Sequence, residues 1–123
     1  CFIIHPGTIV NMDSDAGILI DGLHGNGSFN AVGTTEQPII IKSVYNGAGV
    51  WGSISFVSSS SNQNIIEHCS INGGGMQNAM ISARNVNGGS SQLVVRNCNI
   101  MNSGATGIYI QSSSTLTTAT LPL

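Results

Sequence analysis

Residues 63–75 (QNIIEHCSINGGG) and 92–104 (QLVVRNCNIMNSG) are two copies of one pattern set 29 residues apart. Gln63 answers to Gln92, Ile66 to Val95, Cys69 to Cys98, Ile71 to Ile100 and Gly75 to Gly104. A unit of that length cannot close a hydrophobic core by itself, so it must bury its apolar face against neighbouring copies. The repeat therefore demands a stacked, coil-on-coil architecture. It constrains chemistry far less.

The spacing inside the repeat indicates the secondary structure of each coil. In the later copy Leu93 and Val95 lie two apart, Arg96-Asn97 follow, and Cys98 and Ile100 resume the same alternation. The earlier copy runs Asn64-x-Ile66, Glu67-His68, then Cys69-x-Ile71. Inward side chains at i and i+2 mark a strand with one buried face. The two-residue interruptions read as corners, where Asn tolerates the left-handed backbone a sharp bend needs. Similar short runs occupy 3–4, 8–12, 17–21, 28–32, 38–43, 52–57, 64–66, 69–71, 80–83, 92–95, 98–100 and 107–111. No stretch of ten residues keeps a helical period, and 16 glycines break up what helix propensity exists. Antiparallel hairpins prefer longer strands joined by Asn-Gly turns, so a chain winding in one direction fits the spacing better. The expectation is an all-β single-stranded parallel solenoid.

Composition narrows the functional classes. Only 7% of residues are charged while 41% are hydrophobic, a balance that builds a core rather than a disordered chain. Lys42, Arg84 and Arg96 are the only basic residues and are scattered, so no stripe exists to neutralise phosphates and a nucleic-acid partner is not expected. No run of 18 apolar residues is present, and no membrane span is expected. Cys1, Cys69 and Cys98 form neither a CxxC nor a zinc-type Cys/His spacing. Residues 1–4 enter strand-like sequence at once, without signal-peptide character, so a mature chain or a piece of a longer one is expected.

The runs Pro6-Gly7-Thr8-Ile9-Val10, Ile18-Leu19-Ile20-Asp21-Gly22, Phe29-Asn30-Ala31-Val32-Gly33-Thr34, Gln37-Pro38-Ile39-Ile40-Ile41-Lys42-Ser43 and Trp51-Gly52-Ser53-Ile54-Ser55-Phe56 together resemble the right-handed parallel β-helix repeat proteins. The likeness spans residues from about 6 to 111. It implies a pectate-lyase-like fold without the catalytic signature, about five coils of some 20–30 residues each, and ends that are incomplete or uncapped. It also implies a secreted or cell-surface bacterial setting. The partners it implies are other domains of a larger chain or copies of the same chain, with polysaccharide as a candidate ligand. On this reading residues 1–111 hold the coils and 112–123 are a Ser/Thr-rich terminal segment or linker.

Few residues stand out as chemically equipped. Cys69 and Cys98 should stack on the inward side as small hydrophobes, close enough for an inter-coil disulfide. Glu67 and Arg96 should meet at equivalent corners, while His68 should point outward and away from Cys69. Trp51, Tyr45 and Tyr109 are the candidates for stacking on sugar rings, although packing against a neighbouring loop is the expected job of Trp51. Asp13 and Asp15 are a candidate calcium pair, since hard cations seek clustered oxygens, and no other cofactor is implied. Enzymatic β-helices set several carboxylates, or carboxylates with Arg or Lys, on neighbouring coils; no such constellation is visible, and no catalytic residue is assigned. The expected function is a non-catalytic structural or binding module that contacts glycans. A fragment of a polysaccharide lyase or glycoside hydrolase is the alternative, and a self-assembling fibre subunit is a further one.

Overall fold

The computed structural model describes residues 1–25, 27–86, 90–111 and 114–118. Its strands in chain order are β1 (Phe2–Ile4), β2 (Ile9–Met12), β3 (Ile18–Asp21), β4 (Phe29–Val32), β5 (Ile39–Ser43), β6 (Ile54–Val57), β7 (Ile65–Glu67), β8 (Cys69–Asn72), β9 (Ala79–Arg84), β10 (Gln92–Arg96), β11 (Asn99–Met101), β12 (Thr106–Ile110) and β13 (Thr115–Thr117). The first twelve fall on the twelve runs expected from alternation. β13 lies within the Ser/Thr-rich terminal segment and pairs with β10. Among the described residues there is no helix, and none therefore long and apolar enough to cross a membrane.

Every third strand pairs in parallel. β1-β4-β7-β10-β13 form one sheet (A), β2-β5-β8-β11 a second (B) and β3-β6-β9-β12 a third (C). The chain thus winds through A, B and C in about four turns, with β13 opening another pass through A. The sequence repeat appears as register: Ile65 pairs with Val94, Ile66 with Val95, and Ile71 with Ile100.

Parallel in-register pairing stacks like positions into columns, and the inward columns are apolar. Val10, Ile41, Ile71 and Ile100 form one in sheet B. Ile18, Ile54, Ile81 and Ile108 form another in sheet C. Ile4, Ala31, Ile66 and Val95 line sheet A. Ile39, Ile41, Ile54, Ile66, Ile71 and Ile81 are fully buried, each worth about 1.5–3 kcal/mol of removed apolar surface. β-branched side chains suit these columns because their restricted χ1 fits a pleated surface. The Phe2, Phe29 and Phe56 rings also meet, with centroids 5.7 Å and 6.2 Å apart.

The corners absorb differences in coil length. In the third turn one residue, His68, separates β7 from β8, and in the fourth Asn97 and Cys98 separate β10 from β11; the φ values of His68 and Asn97 are 51° and 53°. The left-handed corner read from Asn97 is present, and His68 adopts it too. The second turn instead inserts 33–38 between β4 and β5 and 44–53 between β5 and β6. Its longer path leaves the strands in register because extra residues leave the stack only at corners.

Candidate functional site

A polar concavity lies on the outer face of sheet C. There the outward column is Leu19, Ser55, Ser82 and Tyr109, alternating with the buried isoleucines. Ser55 and Ser82 are short, so the column dips at its middle, and Tyr109 stands up beside the dip with 49% of its surface exposed. Gln77 and Asn78, from the turn before β9, wall one side; Ala105 and Thr106 rise at the start of β12, and Arg84 ends β9. The result is a groove of about 540 Å³ lined by hydroxyls, amides, one phenol and one guanidinium. Ser82 Oγ donates to Ser55 Oγ at 3.3 Å and Ser53 Oγ to the Met80 carbonyl at 3.4 Å, which orients two of the hydroxyls. A smaller cleft shares Ser53, Gln77 and Asn78 and ends at Asp15. Arg84 and Asp15 thus mark two parts of one polar surface. Asp15 is its sole carboxylate among the described residues.

The three sugar-stacking candidates separate. Tyr109 belongs to this groove. Tyr45, 56% exposed, lies instead over sheet B in a cleft of about 630 Å³ with Asn11, Lys42, Asn72 and Asn102. Trp51 is fully buried. Its Nε1–H donates to the Asn72 carbonyl at 2.8 Å, and a Cβ added at Gly74 would lie 2.7–2.8 Å from the indole. No face of that ring is open to a sugar, because the insertion 44–53 folds Trp51 back beneath the following turn.

The calcium candidates Asp13 and Asp15 both lie in the turn between β2 and β3. The Asp13 carboxylate accepts from the Ser14 N–H at 2.8 Å, an arrangement of a tight turn, and Asp15 has φ 64° with its N–H donated to Val50 O. Among the described residues no three His, Cys, Asp or Glu side chains cluster in a way that would hold a metal ion. Asp21 forms a local pair instead. His24 Nδ1 lies 2.7 Å from its Oδ2 and the Leu23 N–H donates to its Oδ1 at 2.7 Å. The His24 hydrogen bond first, and the Leu23 amide second, hold its carboxyl below the usual carboxylate range.

At the A-to-B corner Arg96 Nε donates to Glu67 Oε1 at 2.8 Å across successive turns, as the repeat demanded. His68 Nε2 lies 3.8 Å from the other Glu67 oxygen, so it faces the corner acid. Cys69 is buried and Cys98 half-buried, both as free thiols stacked on the inward side of sheet B.

One residue was not singled out from sequence. Asn64 occupies an inward position of sheet A, in the column of Phe2, Phe29, Leu93 and Leu116, and is 1% exposed. Its Oδ1 accepts the Phe29 N–H at 2.9 Å, and its Nδ2 donates to Ser59 O, Ser59 Oγ and Gln92 O at 3.1, 2.8 and 3.1 Å. Alternation had placed it inward; its amide in an otherwise apolar column was the unread signal.

These features define a parallel β-solenoid with a polar groove on one outer sheet face. Comparisons with known protein families, curated proteins and solved structures give no match.

Proposed function

We propose that this chain is a non-catalytic, right-handed β-helical module of a secreted or cell-surface protein, holding a glycan against the outer face of sheet C. The observation that carries the reading is the groove around Tyr109. A sugar presents hydroxyls to hydrogen-bond and a flat C–H face to stack, and the groove offers Ser, Asn, Gln and Thr groups beside one half-exposed aromatic ring. Arg84 adds a fork suited to a uronate or sulfate substituent. Hydrolysis of a glycosidic bond ordinarily takes two carboxylates about 5–9.5 Å apart. Asp15 stands alone on this surface among the described residues, which supports binding over cleavage. Continuous parallel pairing also makes the module stiff, suited to holding neighbouring modules apart.

Affinity electrophoresis against neutral and acidic polysaccharides tests the proposal. Retardation by at least one acidic polysaccharide is expected, weakened about tenfold by Tyr109→Ala, a loss of about 1.4 kcal/mol. Tyr45→Ala, on sheet B, should leave it unchanged. Equal retardation of wild type and Tyr109→Ala, or none with any polysaccharide, overturns the groove. New reducing ends or unsaturated products would favour the enzyme reading.

A further inference from the structure

We propose that Cys69 and Cys98 form a thiol–disulfide site, in which a low-molecular-weight disulfide oxidises the pair to a covalent link between successive turns of the solenoid. The inference does not depend on what the groove binds.

Register places the two sulfurs together. Ser70 pairs with Asn99 and Ile71 with Ile100, so one step earlier Cys69 lies opposite Cys98. Neighbouring strands run about 4.8 Å apart, inside the Cα separation of about 4.4–6.8 Å that a disulfide accepts. The surroundings of the sulfurs repeat from turn to turn. Cys69 Sγ lies 3.4 Å from Glu67 O and 3.3 Å from Ala31 O; Cys98 Sγ lies 3.2 Å from Arg96 O and 3.4 Å from Ile66 O. Ala31 and Ile66 are themselves register partners, so each thiol sits at the same place in its own turn. The left-handed corners at His68 and Asn97 launch both strands in the same direction and keep the side chains aligned.

The two thiols lie side by side on successive turns and press on each other's ionisation in opposite senses. The neighbouring Cys69 is the largest influence on Cys98 and lowers its thiol against the opposing effect of burial. The same neighbour relation, with burial second, pushes the Cys69 thiol up. Cys98 is also the more exposed of the two. It is the attacking sulfur, and Cys69 resolves.

In the first step the Cys98 thiolate attacks one sulfur of the external disulfide, forming a mixed disulfide and expelling one thiolate. Cys69 then gives up its proton and attacks Cys98 Sγ, expelling the second thiolate. Two protein thiols lose two electrons, the external disulfide gains them, and the two released protons end on the two expelled thiols.

The chain is suited to a direct test. Cleavage after Lys42, Arg84 and Arg96 leaves Cys1, Cys69 and Cys98 on three separate peptides. Reduced protein equilibrated with oxidised glutathione, alkylated and digested should yield peptide 43–84 joined to 97–123. Two of the three thiols should be lost to alkylation in that species, with Cys1 absent from the link. Cys69→Ser should stop at a glutathione adduct on Cys98, whereas Cys98→Ser should leave Cys69 alkylatable. Persistence of both wild-type thiols, a stable adduct on Cys98 beside free Cys69, or a link from either to Cys1 overturns the proposal. The wild-type peptide map decides alone if a serine variant does not fold.

Discussion

Replacing Asn64 with leucine separates two accounts of what holds sheet A together. By shape, leucine belongs in the column, since Leu93 and Leu116 continue it. By hydrogen bonding, it does not. The Asn64 amide is the acceptor for the Phe29 N–H, on a residue that is fully buried, and its loss strands that donor away from water. An unsatisfied buried amide costs about 1–3 kcal/mol. The donations to Ser59 and Gln92 go as well, each contributing about 1 kcal/mol net, although Ser59 O keeps the Gln92 N–H. Restored apolar packing offsets part of this. We expect Asn64→Leu to destabilise by about 1–3 kcal/mol and Asn64→Ala by about 2–4 kcal/mol, the alanine adding a cavity. Asn64→Asp keeps an oxygen for Phe29 but turns the other towards carbonyls, so it should be at least as damaging as alanine. Urea unfolding followed by fluorescence suits the measurement because Trp51 is the single tryptophan and is wholly buried. Far-UV circular dichroism in parallel checks that the turns unfold together. If Asn64→Leu proves as stable as wild type or more so, the amide is incidental and apolar stacking alone holds the sheet.

Two further outcomes follow from packing and charge. Gly74→Ala places a methyl group 2.7–2.8 Å from the Trp51 ring, so a loss of about 1–3 kcal/mol with a red-shifted emission is expected, and an unchanged spectrum and midpoint would contradict the packing. The Asp21 carboxyl should titrate below its ordinary value of 3.8 by NMR, and His24→Ala should move it upward. Because the folded value is the depressed one, its small stabilising effect is complete above the unfolded value and disappears as pH falls through the folded value; an unmoved titration in His24→Ala refutes the pairing.

The columns were legible because β pairing translates sequence spacing directly into spatial neighbourhood. Once Ile66 and Val95 are one period apart, the pairing of Glu67 with Arg96 and the stacking of Cys69 on Cys98 follow from geometry alone. Trp51 shows where this fails. Its segment looks like any other coil in sequence, and only the folded insertion 44–53 carries the ring under Gly74. The groove was equally hidden, since Gln77, Asn78 and Arg84 come to line one concavity only when turns of unequal length are laid side by side. Asn64 lies between these cases: position could be read from alternation, but its four partners are contributed by three different turns.

The indole tucked beneath Gly74 ties the fate of two sites together. A smaller residue at 51 would leave a cavity beneath Gly74, and any side chain at 74 would collide with the ring. Neither position can drift unless the other drifts with it, so related chains should carry Trp and Gly jointly or lose both at once, along with the excursion that brings them together.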